Sequence, residues 1–94
     1  MESVTLEQLR MTFKVGGISA AQIVAQGRKF FVAADTKTGE RLVLVLHADR
    51  QPRLYGKPAT ALKALHDIGF RTVTVEMVNW SPAPQGEITE RQQS

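Results

Sequence analysis

Residues 58–69 limit the fold most tightly, because they bound a helix at both ends with residues that have few other uses. Pro58 suits the first helical position, where its fixed φ is already helical and its missing N–H would have no intrahelical partner. Gly69 closes the helix, since glycine enters the left-handed region without a steric penalty. Between them Ala61, Leu62, Leu65 and Ile68 share one face, and Phe70 is placed to fold back on Leu65. A helix with a single apolar stripe must lie against another layer.

A second helix is marked at residue 5. Thr5 and Gln8 have the spacing of a capping box, and Val4 is placed to staple onto Leu9. Leu6, Leu9 and Phe13 form its apolar stripe, Arg10 and Lys14 suit its outer side and C-terminal end, and Gly16-Gly17 stops it.

From Ile18 the period changes to two. Residues 21–25 and 30–34 predict an antiparallel hairpin across Gln26-Gly27-Arg28-Lys29, and residues 35–40 a further turn, with Gly39 free to take positive φ. Leu42-Val43-Leu44-Val45-Leu46 is apolar at both parities, which predicts a strand covered on both faces and places it at the sheet's centre. Arg53-Leu54-Tyr55 reads as a short strand between Pro52 and Gly56. Residues 71–78 alternate, so Val73, Val75 and Met77 are expected to face the core and Thr72, Thr74 and Glu76 water.

The expected fold is therefore α+β: a single, mostly antiparallel sheet of four to five strands with two helices on one face, in the order α-β-β-β-(β)-α-β. A chain of 94 residues has room for one core, and a domain this small buries only roughly 60% of its unfolded surface. We assign residues 1–80 to that domain and 81–94, which contain two prolines and no apolar period, to a flexible tail. The sheet face away from the helices would then carry Phe31, Val43 and Val45, a candidate protein interface for a partner or for a second copy of the chain.

Charge points to a second kind of partner. The chain carries +3, and residues 28–71 hold nine Lys and Arg against four Asp and Glu. Arg28 and Lys29 at one turn, Lys37 and Arg41 about the next, and Arg53 with Lys57 before the second helix are the candidate phosphate contacts of a nucleic-acid surface. The absence of cysteine excludes disulfides and thiolate zinc sites and agrees with a reducing compartment. An acid at position 2 and the lack of an apolar run of about 18 residues argue against export and membrane anchoring, so the expected place is the cytoplasm.

Catalysis finds little footing. His47 and His66 have no neighbour at metal-ligand spacing, and adjacent helical residues such as His66 and Asp67 diverge by about 100°. No serine lies in Gly-x-Ser-x-Gly, and Gly16, Gly17 and Gly27 belong to no phosphate-binding motif. Tyr55 and Trp80 are read as covers of the core's edge, with stacking on bases as the alternative. No metal, cofactor or catalytic residue is assigned, and the expected function is non-enzymatic.

The run Arg53-Leu54-Tyr55-Gly56-Lys57-Pro58 with Ala61, Leu62, Leu65, Ile68 and Gly69, the closing Val75 and Trp80-Ser81-Pro82, Gly27 with Phe30-Phe31-Val32, and Thr36, Thr38 and Gly39 together resemble the ParC-like partition and stability accessory proteins of broad-host-range bacterial plasmids. The resemblance covers residues 5 to about 82 and brings no active site with it. It implies a bacterial cytoplasmic accessory protein of plasmid maintenance that binds protein, with DNA binding through the basic turns as the alternative.

Overall fold

The computed structural model describes residues 2–45 and 51–81. Along the chain run β1 (Glu2–Val4), α1 (Leu6–Lys14), β2 (Ile18–Gln26), β3 (Lys29–Thr36), β4 (Arg41–Leu44), α2 (Pro58–Ile68) and β5 (Thr74–Glu76). The strands form one sheet in the order β1-β4-β3-β2-β5. Pairing is antiparallel between β2 and β3 and between β3 and β4, and parallel between β1 and β4 and between β2 and β5. The α+β class and the shared helix layer agree with the expectation; the strand arrangement differs from it in four respects.

First, a strand precedes α1. Glu2–Val4 pairs with Leu42–Leu44, and Val4 packs against the core. Three residues are too few for a period of two to register in a sequence. Second, the centre of the sheet is β3, and the apolar run beginning at Leu42 lies beside it, covered laterally by β1. Third, residues 53–55 form no strand. The segment is held by single bridges, Tyr55 to Phe30 and Pro52 to Val45, since proline withholds the N–H that a longer ladder needs.

Fourth, the last strand shortens to Thr74–Glu76 and runs parallel to β2. Its expected core face is only partly covered: Val73 packs on the core, but Val75 is 42% and Met77 57% exposed. Within β5 Val75 does share a side with Ile23, but Glu76, expected to face water, is the less exposed of the two. What is missing at this edge is helix above it, because α2 lies over β2 and β3.

The helix side of the sheet holds the core. Ala21, Ile23 and Ala25 of β2, Phe30, Val32 and Ala34 of β3, and Leu42 and Leu44 of β4 meet Leu9 of α1 and Ala61 and Leu65 of α2. The capping box of α1 forms as expected: the Gln8 N–H donates to Thr5 Oγ1 (3.2 Å) and the Thr5 N–H to Gln8 Oε1 (2.9 Å). At the other end of the layer the Phe13 and Phe70 rings meet at 4.4 Å.

Gly69 sits under this aromatic pair at φ +134°, and a Cβ there would lie 2.6 Å from Phe13 Cε2. Gly27, in the β2–β3 turn, has φ +65° with open space around it. The two substitutions therefore separate backbone strain from collision. Gly27→Ala should cost about 1–2 kcal/mol, the left-handed backbone penalty alone. Gly69→Ala should cost roughly 2–4 kcal/mol, as the ring must also move. Urea unfolding of the two variants checks the ranking, which equal losses would contradict.

Candidate functional site

Every strand but β3 runs toward the β2–β3 turn, and both helices start at that end, α1 directly after β1 and α2 after the Tyr55 bridge to Phe30. Two consequences follow for charge. The positive ends of both helix dipoles lie on this side of the molecule, and the sequence adds cations to it.

Arg28 and Lys29 occupy the turn itself, and Arg53 and Lys57 flank Tyr55, which bridges the residue after Lys29. The structure thus brings four of the expected phosphate contacts to one end. Arg28, Lys29, Arg53 and Lys57 are all exposed and have no carboxylate partner among the described residues. Arg53 instead lies 5.4 Å over the Tyr55 ring, a cation–π contact. These four charges exceed the +3 of the whole chain, so the other residues together carry −1, and an acid at this end, Glu7 in the first turn of α1, lines a hollow with Arg53. Trp80 is at the same end, bridged to Gly27 and 45% exposed. Tyr55, by contrast, is buried in the core.

The other two expected contacts do not join them. Lys37 lies at the opposite end, where its N–H donates to the Gly17 carbonyl (3.0 Å). Arg41 lies on the uncovered sheet face, where its Nε donates to Asp35 Oδ1 (3.0 Å) and its Nη2 is 3.5 Å from Glu76 Oε2. β3 and β2 separate the strands of Arg41 and Glu76, so this ion pair reaches across the face, whose opposite corners the sheet's twist draws together. Gln22 completes the strap by donating from Nε2 to Asp35 Oδ2 (2.9 Å).

Beside the strap the face carries an apolar patch. Phe31, Val43 and Val45, the expected interface residues, do come together, around a hollow of about 210 Å³ that Ser3, Gln26 and Pro52 also line. Val43 and Val45 are nevertheless already buried, at 7% and 6% exposure, which leaves Phe31 as the accessible member.

More apolar surface is available at the β5 edge. Val75, Met77, Val78 and Trp80 are exposed there, and Leu62 of α2, 44% exposed, shares a hollow with Val73 just before β5. Between α2 and β5 lies a hollow of about 190 Å³ lined by Leu62, Leu65, His66, Phe70, Arg71 and Val73. The outer edge of β5 has no strand beside it among the described residues. Sequence reasoning missed this edge because it assigned Val75 and Met77 to the core; the signal that could have found it is the shortness of the helix layer relative to five strands.

His47 lies outside the described residues. His66 is exposed, with Nδ1 3.9 Å from Asp67 Oδ1, beyond hydrogen-bond reach, and Asp67 is held by Lys63 instead (3.0 Å). Among the described residues no group of three or more His, Asp or Glu is placed to hold a metal ion, and no helix is long and apolar enough to cross a membrane. Compared with protein-family models, with curated proteins and with solved structures, the chain finds no match.

The strap makes a prediction about acid. The Arg41 guanidinium, assisted by Gln22, holds the Asp35 carboxyl below its ordinary value of 3.8. The folded state therefore binds fewer protons than the unfolded one in that range. This contribution is complete above pH 3.8 and is lost as pH falls through the lower folded value. Unfolding midpoints from pH 6 to pH 2 should fall more steeply for the wild type than for Asp35→Asn, and parallel curves would show that the strap contributes nothing to acid stability.

Proposed function

We propose that this chain is a non-enzymatic accessory binding module of the bacterial cytoplasm, similar in role to plasmid partition and stability proteins, and that it works through protein contacts. The observation that carries this reading is the β5 edge. An unpaired strand offers its outward N–H and C=O groups to any extended segment laid beside it. Here Val75 of the strand and Met77 just after it are exposed, so a strand added at this edge gains apolar contact along with backbone hydrogen bonds. Large side chains left exposed together on a small domain mark a contact surface.

Capture on the immobilised chain tests the reading, using lysate of a plasmid-bearing bacterium and two variants in parallel. Val75→Lys places a charge on the edge strand and should abolish retention of partner protein, while Arg28→Glu with Lys29→Glu should leave it intact. Equal retention by wild type and Val75→Lys would overturn the assignment to this edge.

A second reading is favoured by the grouping of Arg28, Lys29, Arg53 and Lys57 beside Trp80. Phosphate contacts from these four residues would make the protein a DNA-binding regulator, with Trp80 available for stacking. Duplex plasmid DNA should then shift at low salt, and log K should fall against log salt with a slope of about −3.5. Arg28→Glu with Lys29→Glu should flatten that slope by roughly half. No shift at 20 mM salt, where phosphate contacts are strongest, would exclude this second reading.

A further inference from the structure

We infer that the β5 edge is occupied by the β5 edge of a second copy, so that two chains form one continuous sheet about a two-fold axis through Val75. This rests on the proposed use of that edge and names its occupant.

The register decides in favour of a second copy. With the axis at Val75, Thr74 lies opposite Glu76 of the second copy and Val73 opposite its Met77. Polar residues then meet on the uncovered side and apolar residues on the helix side, as the pairing with β2 already orients them. Val73 lines the hollow of about 190 Å³ beneath α2, and Met77 is 57% exposed. Each copy therefore brings a long, adaptable side chain to the other's hollow.

Neighbouring registers are worse for stated reasons. A slip of one residue sets the apolar row of one copy against the polar row of the other. An axis at Glu76 puts two carboxylates opposite each other. An axis at Thr74 puts Met77 against Arg71, whose guanidinium already donates to the His66 and Phe70 carbonyls (3.1 and 3.0 Å), and sets the shorter Val75 rather than Met77 opposite Val73.

The opposite edge does not compete. β1 is no longer than β5, its Glu2 is exposed, and none of the large exposed apolar side chains lies on it. Joining β5 to β1 of the next copy would also build an open array, whereas β5 against β5 closes.

The chain contains no cysteine, so a single Val75→Cys substitution makes a clean probe. Opposed residues at an antiparallel two-fold have Cα atoms about 4.5–5.5 Å apart, within the range a disulfide spans. Under mild oxidation Val75→Cys should form a covalent dimer nearly completely, while Met11→Cys, 57% exposed on α1, should not. Wild-type chain at 50 μM should show twice the chain's mass by light scattering, and Val75→Lys the single mass. A wild-type monomer at that concentration, or equal cross-linking at positions 75 and 11, overturns the dimer. The partner capture by wild type and Val75→Lys is read independently, so a monomer that still retains partner protein only through an intact edge rejects this inference and leaves the proposed function standing.

Discussion

The handedness of strand–helix–strand crossovers governs the rest of this structure. β1-α1-β2 and β4-α2-β5 each join parallel strands of one sheet, and each steps across the order β1-β4-β3-β2-β5 in the same direction. Connections of this kind are right-handed in nearly all proteins, because a right-twisted strand feeding a helix returns to the sheet only that way. Two crossovers of one hand and one direction must put their helices on one face. The shared core of Leu9, Leu65, Ile23, Val32 and Leu44 is the packing consequence.

Widths then set what stays bare. Five strands at about 4.8 Å spacing make a layer roughly 24 Å wide, and two helices about 10 Å across cover roughly 20 Å of it. About one strand's width remains outside. With α1 close to β1 and α2 over β2 and β3, the shortfall falls on β5, where Val75 shares the helix side with Ile23 and is still 42% exposed. Among the described residues the other face carries no helix, and there the chain uses a different device. Arg41, Asp35, Glu76 and Gln22 span one half of it with hydrogen bonds and ion pairs, and strand neighbours bury Val43 and Val45 in the other. At roughly one-third exposure these ion pairs are solvent-screened, so the strap contributes cover more than stability.

What the sequence made legible was local. Pro58 and Gly69 fixed α2, Thr5 and Gln8 fixed the start of α1, and Gly27 with alternating flanks fixed the β2–β3 hairpin, each through contacts within a few residues. Strand order depends on pairs far apart in the chain, such as Ser3 with Val43 and Ile23 with Val75, which no local period encodes. For the same reason the candidate surfaces were only half readable. The six basic positions were visible as residues, but their separation into four at the turn end, Lys37 at the other and Arg41 in the strap follows from strand direction. Val75 has the sequence pattern of a core residue and the environment of an edge, and only the extent of the helix layer distinguishes the two.

The two candidate surfaces also constrain each other. Antiparallel pairing of β5 with β5 turns the second copy end for end, so the two clusters of Arg28, Lys29, Arg53 and Lys57 point in opposite directions along the joined sheet. In such a dimer the two clusters are related by the two-fold axis, so duplex contact at both would call for half-sites related by the same symmetry. Trp80 tightens the link, since its bridge to Gly27 fixes the basic turn to the chain just beyond β5. A strand added at β5 would lie one strand away from the segment that carries Arg28. The edge strand and the basic turn are therefore neighbours in this fold, joined through the Gly27–Trp80 bridge and the Ser81 N–H donating to the Gly27 carbonyl (2.8 Å).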